Sequence, residues 1–348
     1  MRRLVPTALL ASSALLLAGC ATSATPAGGS SSAAGAGGEG LSIVATTTVV
    51  ADFTRNIVGD AASVTQLIQP NQSSHSYDPS AADLTALGTA DVLVVNGAGL
   101  EEWLDDAISA SGFDGTLIDS SEGIELAEGA EAHAHEHEGE EHADEEHAEE
   151  EGEAHEHAED PHIWTDPGNA LVQVQNIADG LIEADDANAD AFAQNAEDYE
   201  AKLTALDEWI TASVEQVPAE QRLLVTNHDA FGYFVSAYGL TYVGAVIPSL
   251  DDNAEVSAAE IDELVHEIEH TGAKAVFSET SLSPAAAETI ASEAGVEVYA
   301  GDDALYADSL GPVGSSGATY IDSIEHNVTL LVQSWGAEPT PLPEVLSQ

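Results

Sequence analysis

Positive charge is almost missing from this chain. Its 348 residues include 6 Lys and Arg against 63 Asp and Glu, for a formal net charge of -57. A surface so poor in cations excludes nucleic-acid binding, which needs a basic footprint, and adhesion to anionic lipid headgroups. It attracts cations instead, weakly in salt. Most of these carboxylates read as a solvated acidic surface. Cysteine is nearly absent too: Cys20 is the only one, so no intramolecular disulfide can form. No long apolar run is present. The longest, Leu4–Leu17, is too short to span a bilayer comfortably. No repeat at solenoid spacing is visible.

What stands at the N-terminus has an address. Arg2 and Arg3 precede that apolar run, and Leu17-Ala18-Gly19-Cys20 follows it. The order reads as a signal peptide over 1–19, ending in a stretch that resembles a bacterial lipoprotein processing site. That resemblance implies a lipidated Cys20, and two acyl chains suffice for stable membrane anchoring. Residues 20–40 are then the lipidated Cys and a flexible tether of Ala, Gly, Ser, Thr and Pro. The cleaved chain would keep Arg55, Lys202, Arg222 and Lys274 as its cations.

From Leu41 onward, strand and helix patterns alternate. Strands are expected at Leu41–Thr47, Val64–Ile68, Asp91–Asn96 and Thr116–Ile118, with helices at Val49–Val58, Ala81–Thr89 and Leu100–Ser109. Such alternation implies a mainly parallel sheet covered on both faces. Between 131 and 160 the pattern collapses into 15 acidic residues and seven histidines, with no apolar side chain larger than Ala. That stretch cannot bury a core and is expected to be a mobile loop. Gly168–Ala184 reads as a helix. Asn188–Val217 reads as a longer one of roughly 40 Å, because Tyr199, Leu203, Leu206, Ile210, Val214 and Val217 recur every three or four residues. A second alternating segment follows, with strands at Arg222–Thr226, Tyr242–Ile247, Ala275–Ser278 and Val296–Ala300. Its helices are Ala230–Tyr238, Ser257–Thr271, Ala285–Ala294 and Ile321–Trp335. Ser257 and Glu260 have the spacing of a capping box. The expected architecture is α/β: two Rossmann-like lobes with mainly parallel sheets, 41–187 and 218–348, joined by one long rigid helix, 188–217.

Three histidines and an aspartate stand out by position. His75, His228 and Asp308 all fall in loops after predicted strands, where open α/β sheets bind ligands. His162 lies just before a helix. Three imidazoles and a carboxylate suit zinc, whose usual shell holds four such donors. Manganese prefers more oxygen, and copper would bind these donors at least as tightly. Taken singly, each histidine also fits a hydrogen-bonded polar residue or a helix cap. His266 and His270 are one helical turn apart, a spacing that can grip a metal, but their helix is rich in Glu and reads as solvated. They are set aside, with His326.

The stretches HSYDPSAADLTALGTADVLVVNGAGLEEWL, DPHIWTDP, NHDAFGYF and LYADSLG, in this order, resemble the signatures of the zinc- and manganese-binding solute-binding proteins of bacterial ABC importers. The resemblance covers the chain from about Leu41 to its end. It implies a metal held between two lobes by His75, His162, His228 and Asp308. It also implies Zn2+ over Mn2+, since zinc members tend to have His at the third position. The implied function is capture of extracytoplasmic Zn2+ and its delivery to an ABC transporter permease, with no catalysis, by a monomer anchored to the cell membrane. The acidic loop sits where zinc members carry theirs, so His133, His135, His137, His142, His147, His155 and His157 are expected to collect zinc weakly. Zinc affinity should fall as pH drops through about 6.5, because the imidazoles must be neutral. Glu279 is a candidate for orienting one of them. A manganese or iron member of the same family, a zinc hydrolase and a surface adhesin are the rival readings.

Overall fold

The computed structural model describes residues 40–127, 159–252, 254 and 256–347. The signal segment, Cys20, the tether and the seven loop histidines His133 to His157 lie outside the described residues.

The first lobe is built on four parallel strands, β1 (Ser42–Ala45), β2 (Ser63–Gln66), β3 (Val92–Val95) and β4 (Thr116–Asp119), in the order β2-β1-β3-β4. The VLVV strand β3 is buried throughout, as a central parallel strand must be. Helices α1 (Thr48–Val58), α2 (Ala81–Leu87) and α3 (Leu104–Ser111) fill the crossovers. Thr47 caps α1 by accepting from Val50 N at 3.2 Å. Helix α4 (Pro167–Ala184) starts with Asp166 as its cap and Pro167 in its first turn.

The linking helix α5 spans Ala189–Val214, 26 residues or roughly 39 Å. It ends three residues short of Val217 because its last turn tightens: Val217 N bonds Val214 O at 3.0 Å, an i to i−3 step. Its buried face carries Phe192, Tyr199, Leu203, Leu206, Trp209 and Ile210. One apolar core runs from Ile43 and Phe53 in the first lobe, along α5, to Phe234 and Phe277 in the second.

The second lobe contains β5 (Leu223–His228), α6 (Gly232–Tyr238), β6 (Thr241–Ile247), α7 (Ala258–Thr271), β7 (Ala275–Phe277), α8 (Ala285–Ala294) and β8 (Glu297–Tyr299). Its strands pair as two parallel ribbons, β5-β6 and β7-β8, with β5 lying beside β7. The expected capping box on α7 is present, with Ser257 and Glu260 bonding each other's backbone N–H. Helix α9 (Tyr320–Ser334) packs on α5. The segment beyond α9, for which the sequence showed no pattern, turns back along α5: Trp209 Nε1 donates to Thr340 O at 2.8 Å, and Thr340 N donates to Ser213 Oγ at 3.1 Å.

Candidate metal centre

Each of the four residues reaches the centre from a different segment. His75 follows β2 and Asp308 follows β8. His228 is the last residue of β5 itself, one step earlier than the sequence pattern implied. His162 precedes a short 3-10 turn, Ile163–Thr165, that leads into α4. Donor atoms of all four lie within 4.8 Å of one another. The Nε2 atom of His162 is 3.2 Å from that of His75 and 3.4 Å from that of His228. Asp308 Oδ1 is 3.4 Å from the Nε2 atoms of His162 and of His228, and its Oδ2 is 3.6 Å from His75 Nε2. A tetrahedron with metal–nitrogen bonds of about 2.0–2.1 Å has edges of about 3.3–3.4 Å. Five of the six donor pairs are therefore spaced close to what one shared ion requires.

The imidazoles are aimed by carboxylates behind them. His162 Nδ1 donates to Asp160 Oδ1 at 2.7 Å, and His228 Nδ1 donates to Glu279 Oε2 at 2.6 Å. The same carboxylates also accept from the backbone N–H of His162 (3.0 Å) and of His228 (2.9 Å). Fixing the proton on Nδ1 leaves Nε2 to face the centre, the usual arrangement behind a metal-bound histidine. Glu279 thus does what its position suggested. Asp160 was missed, although it stands two residues before His162 in the DPHIWTDP motif, close enough in sequence to have been a candidate. Asn96 is a second omission. Its Nδ2 donates to Pro161 O at 3.1 Å, and its Oδ1 accepts from Gln173 Nε2 at 3.1 Å, which fixes the backbone just before His162. Tyr233 OH donates to Asp160 O at 2.8 Å and accepts from Ala127 N at 3.0 Å.

Burial sets the electrostatics. His162, His228, Asp308, Asp160 and Glu279 are all buried, while His75 keeps some exposure. Three carboxylates in so dry a place need positive charge nearby. Neither oxygen of Asp308 accepts a well-aligned hydrogen bond. Burial alone would lower the pKa of His162, but Asp160 and Asp308 outweigh it and carry it up to about 9. His228 is likewise held well above the ordinary value: burial opposes this, and Glu279 and Asp308 prevail. Burial would raise Asp308, yet the two imidazoles hold it well below the carboxylate range. Burial pushes His75 down, with Asp308 only partly opposing. The pocket is thus built to hold positive charge, as protons or as a metal ion.

The Asp308 loop is also tied to the first lobe. Asn71 N donates to Ser309 Oγ at 2.9 Å, Ser74 Oγ donates to Asp308 O at 3.3 Å, and Leu310 N donates to Thr48 Oγ1 at 2.8 Å. Beside these ties opens a cleft of about 410 Å³, lined in part by Asn71, Ser278, Glu279 and Tyr306. His266 and His270 are exposed on α7, away from this centre. His326 Nε2 donates to Ala304 O at 3.0 Å, as an ordinary structural histidine does.

The family profile described as "Zinc-uptake complex component A periplasmic" matches residues 43–334. The chain belongs to this family. It is 33% identical over 294 residues to the "Manganese-binding lipoprotein MntA" of Halalkalibacterium halodurans, covering 84% of this chain and 88% of the relative. It is 34% identical over 259 residues to the "Zinc-binding protein AdcA" of Streptococcus pyogenes, covering 74% of this chain and 49% of that longer relative. It is 29% identical to the "Iron-binding protein YfeA" of Yersinia pestis over 294 residues, or 84% of this chain and 86% of the relative. Among solved structures, the periplasmic zinc-binding protein TroA of Treponema pallidum superposes with a TM-score of 0.72 at 26% identity, covering 86% of this chain and 99% of that one. The family's members are solute-binding proteins, not enzymes, and this chain is the metal-binding component of an ABC-type importer. The relatives are named for manganese, zinc and iron alike, so kinship does not choose the metal.

Proposed function

We propose that this chain captures Zn2+ outside the cytoplasm and delivers it to the membrane permease of an ABC importer. The observation that carries the reading is the donor set: three imidazole Nε2 atoms and one carboxylate converge within 4.8 Å of one another, with five of the six donor pairs at 3.2–3.6 Å. His75, His162, His228 and Asp308 are the ligands in this reading. Nitrogen donors in that number favour zinc over harder ions. Four protein ligands also fill a tetrahedral shell, and a filled shell leaves no place for the activated water of a hydrolase. Release to the permease then requires the Asp308 loop to move, against its three hydrogen bonds to the first lobe.

The flanking parts follow the same reading. Cys20 carries the lipid anchor, residues 21–40 are the tether, and the protein works as a monomer. The lobes are 41–187 and 218–348, with 188–217 between them. The seven loop histidines collect zinc weakly near the cleft.

One observation favours a second reading, manganese or iron. Both Asp308 oxygens lack a well-aligned partner, so the carboxylate could bind through both and offer five donor atoms, a number closer to what manganese accepts. Elemental analysis of the purified protein, followed by competition between zinc and manganese, separates the two. Zinc retained against a large excess of manganese supports the proposal. Displacement of zinc by equimolar manganese overturns it.

A further inference from the structure

Helix α7 carries a second set of metal donors, remote from the cleft. Its sequence reads His266-Glu267-Ile268-Glu269-His270, the H-E-x-x-H pattern that places two imidazoles on one face of a helix. The structure keeps that promise. The two rings lie one above the other with centroids 6.2 Å apart, close to the 6.0 Å that separates His75 and His228 in the main cluster. Both rings are exposed, because Leu264 and Ile268 take the inward face of the helix. Asp262 and Glu263 stand one turn before His266, and Glu269 stands one turn after it. All three are exposed and supply negative potential without occupying the imidazoles.

In zinc hydrolases this pattern is completed by a third protein ligand. Here, among the described residues, no third donor converges on the pair. A metal held by two imidazoles keeps water in its remaining positions, and on an open helix face it is bound weakly. We infer that His266 and His270 form an accessory, non-catalytic site for a borderline divalent cation of the zinc or copper type, independent of the cleft.

The test must resolve single residues, because the chain carries 13 histidines. Zn2+ is titrated into the full chain beyond the one equivalent that fills the cleft. Diethyl pyrocarbonate modification of each histidine is then read by peptide mass spectrometry. Zinc should slow the modification of His266 and His270 at least fivefold, with one shared midpoint. In His266→Ala the protection of His270 should vanish, and in His270→Ala that of His266 should vanish. Both side chains are exposed, so neither substitution touches the core, and circular dichroism checks that the fold is intact. His228→Ala should leave the protection unchanged. The inference is overturned if neither histidine is protected, if one stays protected without the other, or if protection disappears with His228.

Discussion

Lowering the pH from 8.5 to 6 should weaken metal binding far more steeply than three ordinary histidines would allow. The reason lies in the carboxylates behind the proposed ligands. A metal must displace any proton on the Nε2 atoms, and His162 holds its proton up to about pH 9. At pH 7, about two pH units lower, removing that proton costs about 2.7 kcal/mol, or roughly a hundredfold in apparent affinity. His228 is shifted in the same direction, whereas His75 is shifted down and is neutral at pH 7. Each metal ion bound at pH 7 should therefore release about two protons. Three imidazoles at the usual value near 6.5 would together release only about 0.7. Titration calorimetry in buffers of different ionisation enthalpy reads this number directly, from the slope of the observed heat against the buffer's heat. Affinity should climb between tenfold and a hundredfold per pH unit across the range. A release below one proton, or an affinity that levels off above pH 7, would refute the assignment of these carboxylates. The window near 6.5 expected from the sequence is thus moved upward by Asp160, Glu279 and Asp308.

Other consequences can be checked separately. Asp160→Asn and Glu279→Gln should each cost about 10–100-fold in metal affinity and flatten the pH dependence, measured by chelator competition. His228→Ala should cost far more affinity than deletion of residues 133–157, and the opposite ranking would reverse the roles given to cleft and loop. The metal-free protein should lose stability as pH rises. The folded pKa of His162 lies above its unfolded value near 6.5, so its contribution is complete below pH 6.5 and fades through about 9. That contribution is about 3 kcal/mol at most, and thermal melts of metal-free protein should show the decline more strongly than melts of loaded protein. Leu206→Ala, on the fully buried face of α5, should destabilise by about 2–5 kcal/mol in denaturant titrations.

The alternation of apolar runs was sufficient to place every strand and helix described above, because parallel strands and amphipathic helices have different periods. The clustered residues stood out for another reason: His75 and Asp308 follow strands, and His228 ends one, at the carboxyl ends where α/β folds bind. What could not be read was pairing across long separations. Nothing local in the sequence joins Asn96 to Pro161, or Thr340 to Ser213. The partition of the second lobe into two ribbons was equally hidden, since β5 and β7 are both short, apolar and suited to a continuous sheet. Asp160 differs from these. It was within reach of its partner in sequence and was overlooked because the whole acidic run 131–160 read as a mobile loop, whereas its last residue, Asp160, is buried against His162.

A chain with one cysteine cannot staple its loops with sulfur, and the candidate metal centre offers a substitute. One ion bound there would join His75 to His162 across 87 residues and His162 to His228 across 66. Those spans are of the size at which a disulfide restrains an unfolded chain most. The cargo would thus act as a removable cross-link, present only while the protein is loaded. Handing over the metal would also cut the staple, so the form that leaves the importer is the looser one. Such a carrier would report its own occupancy through its stiffness.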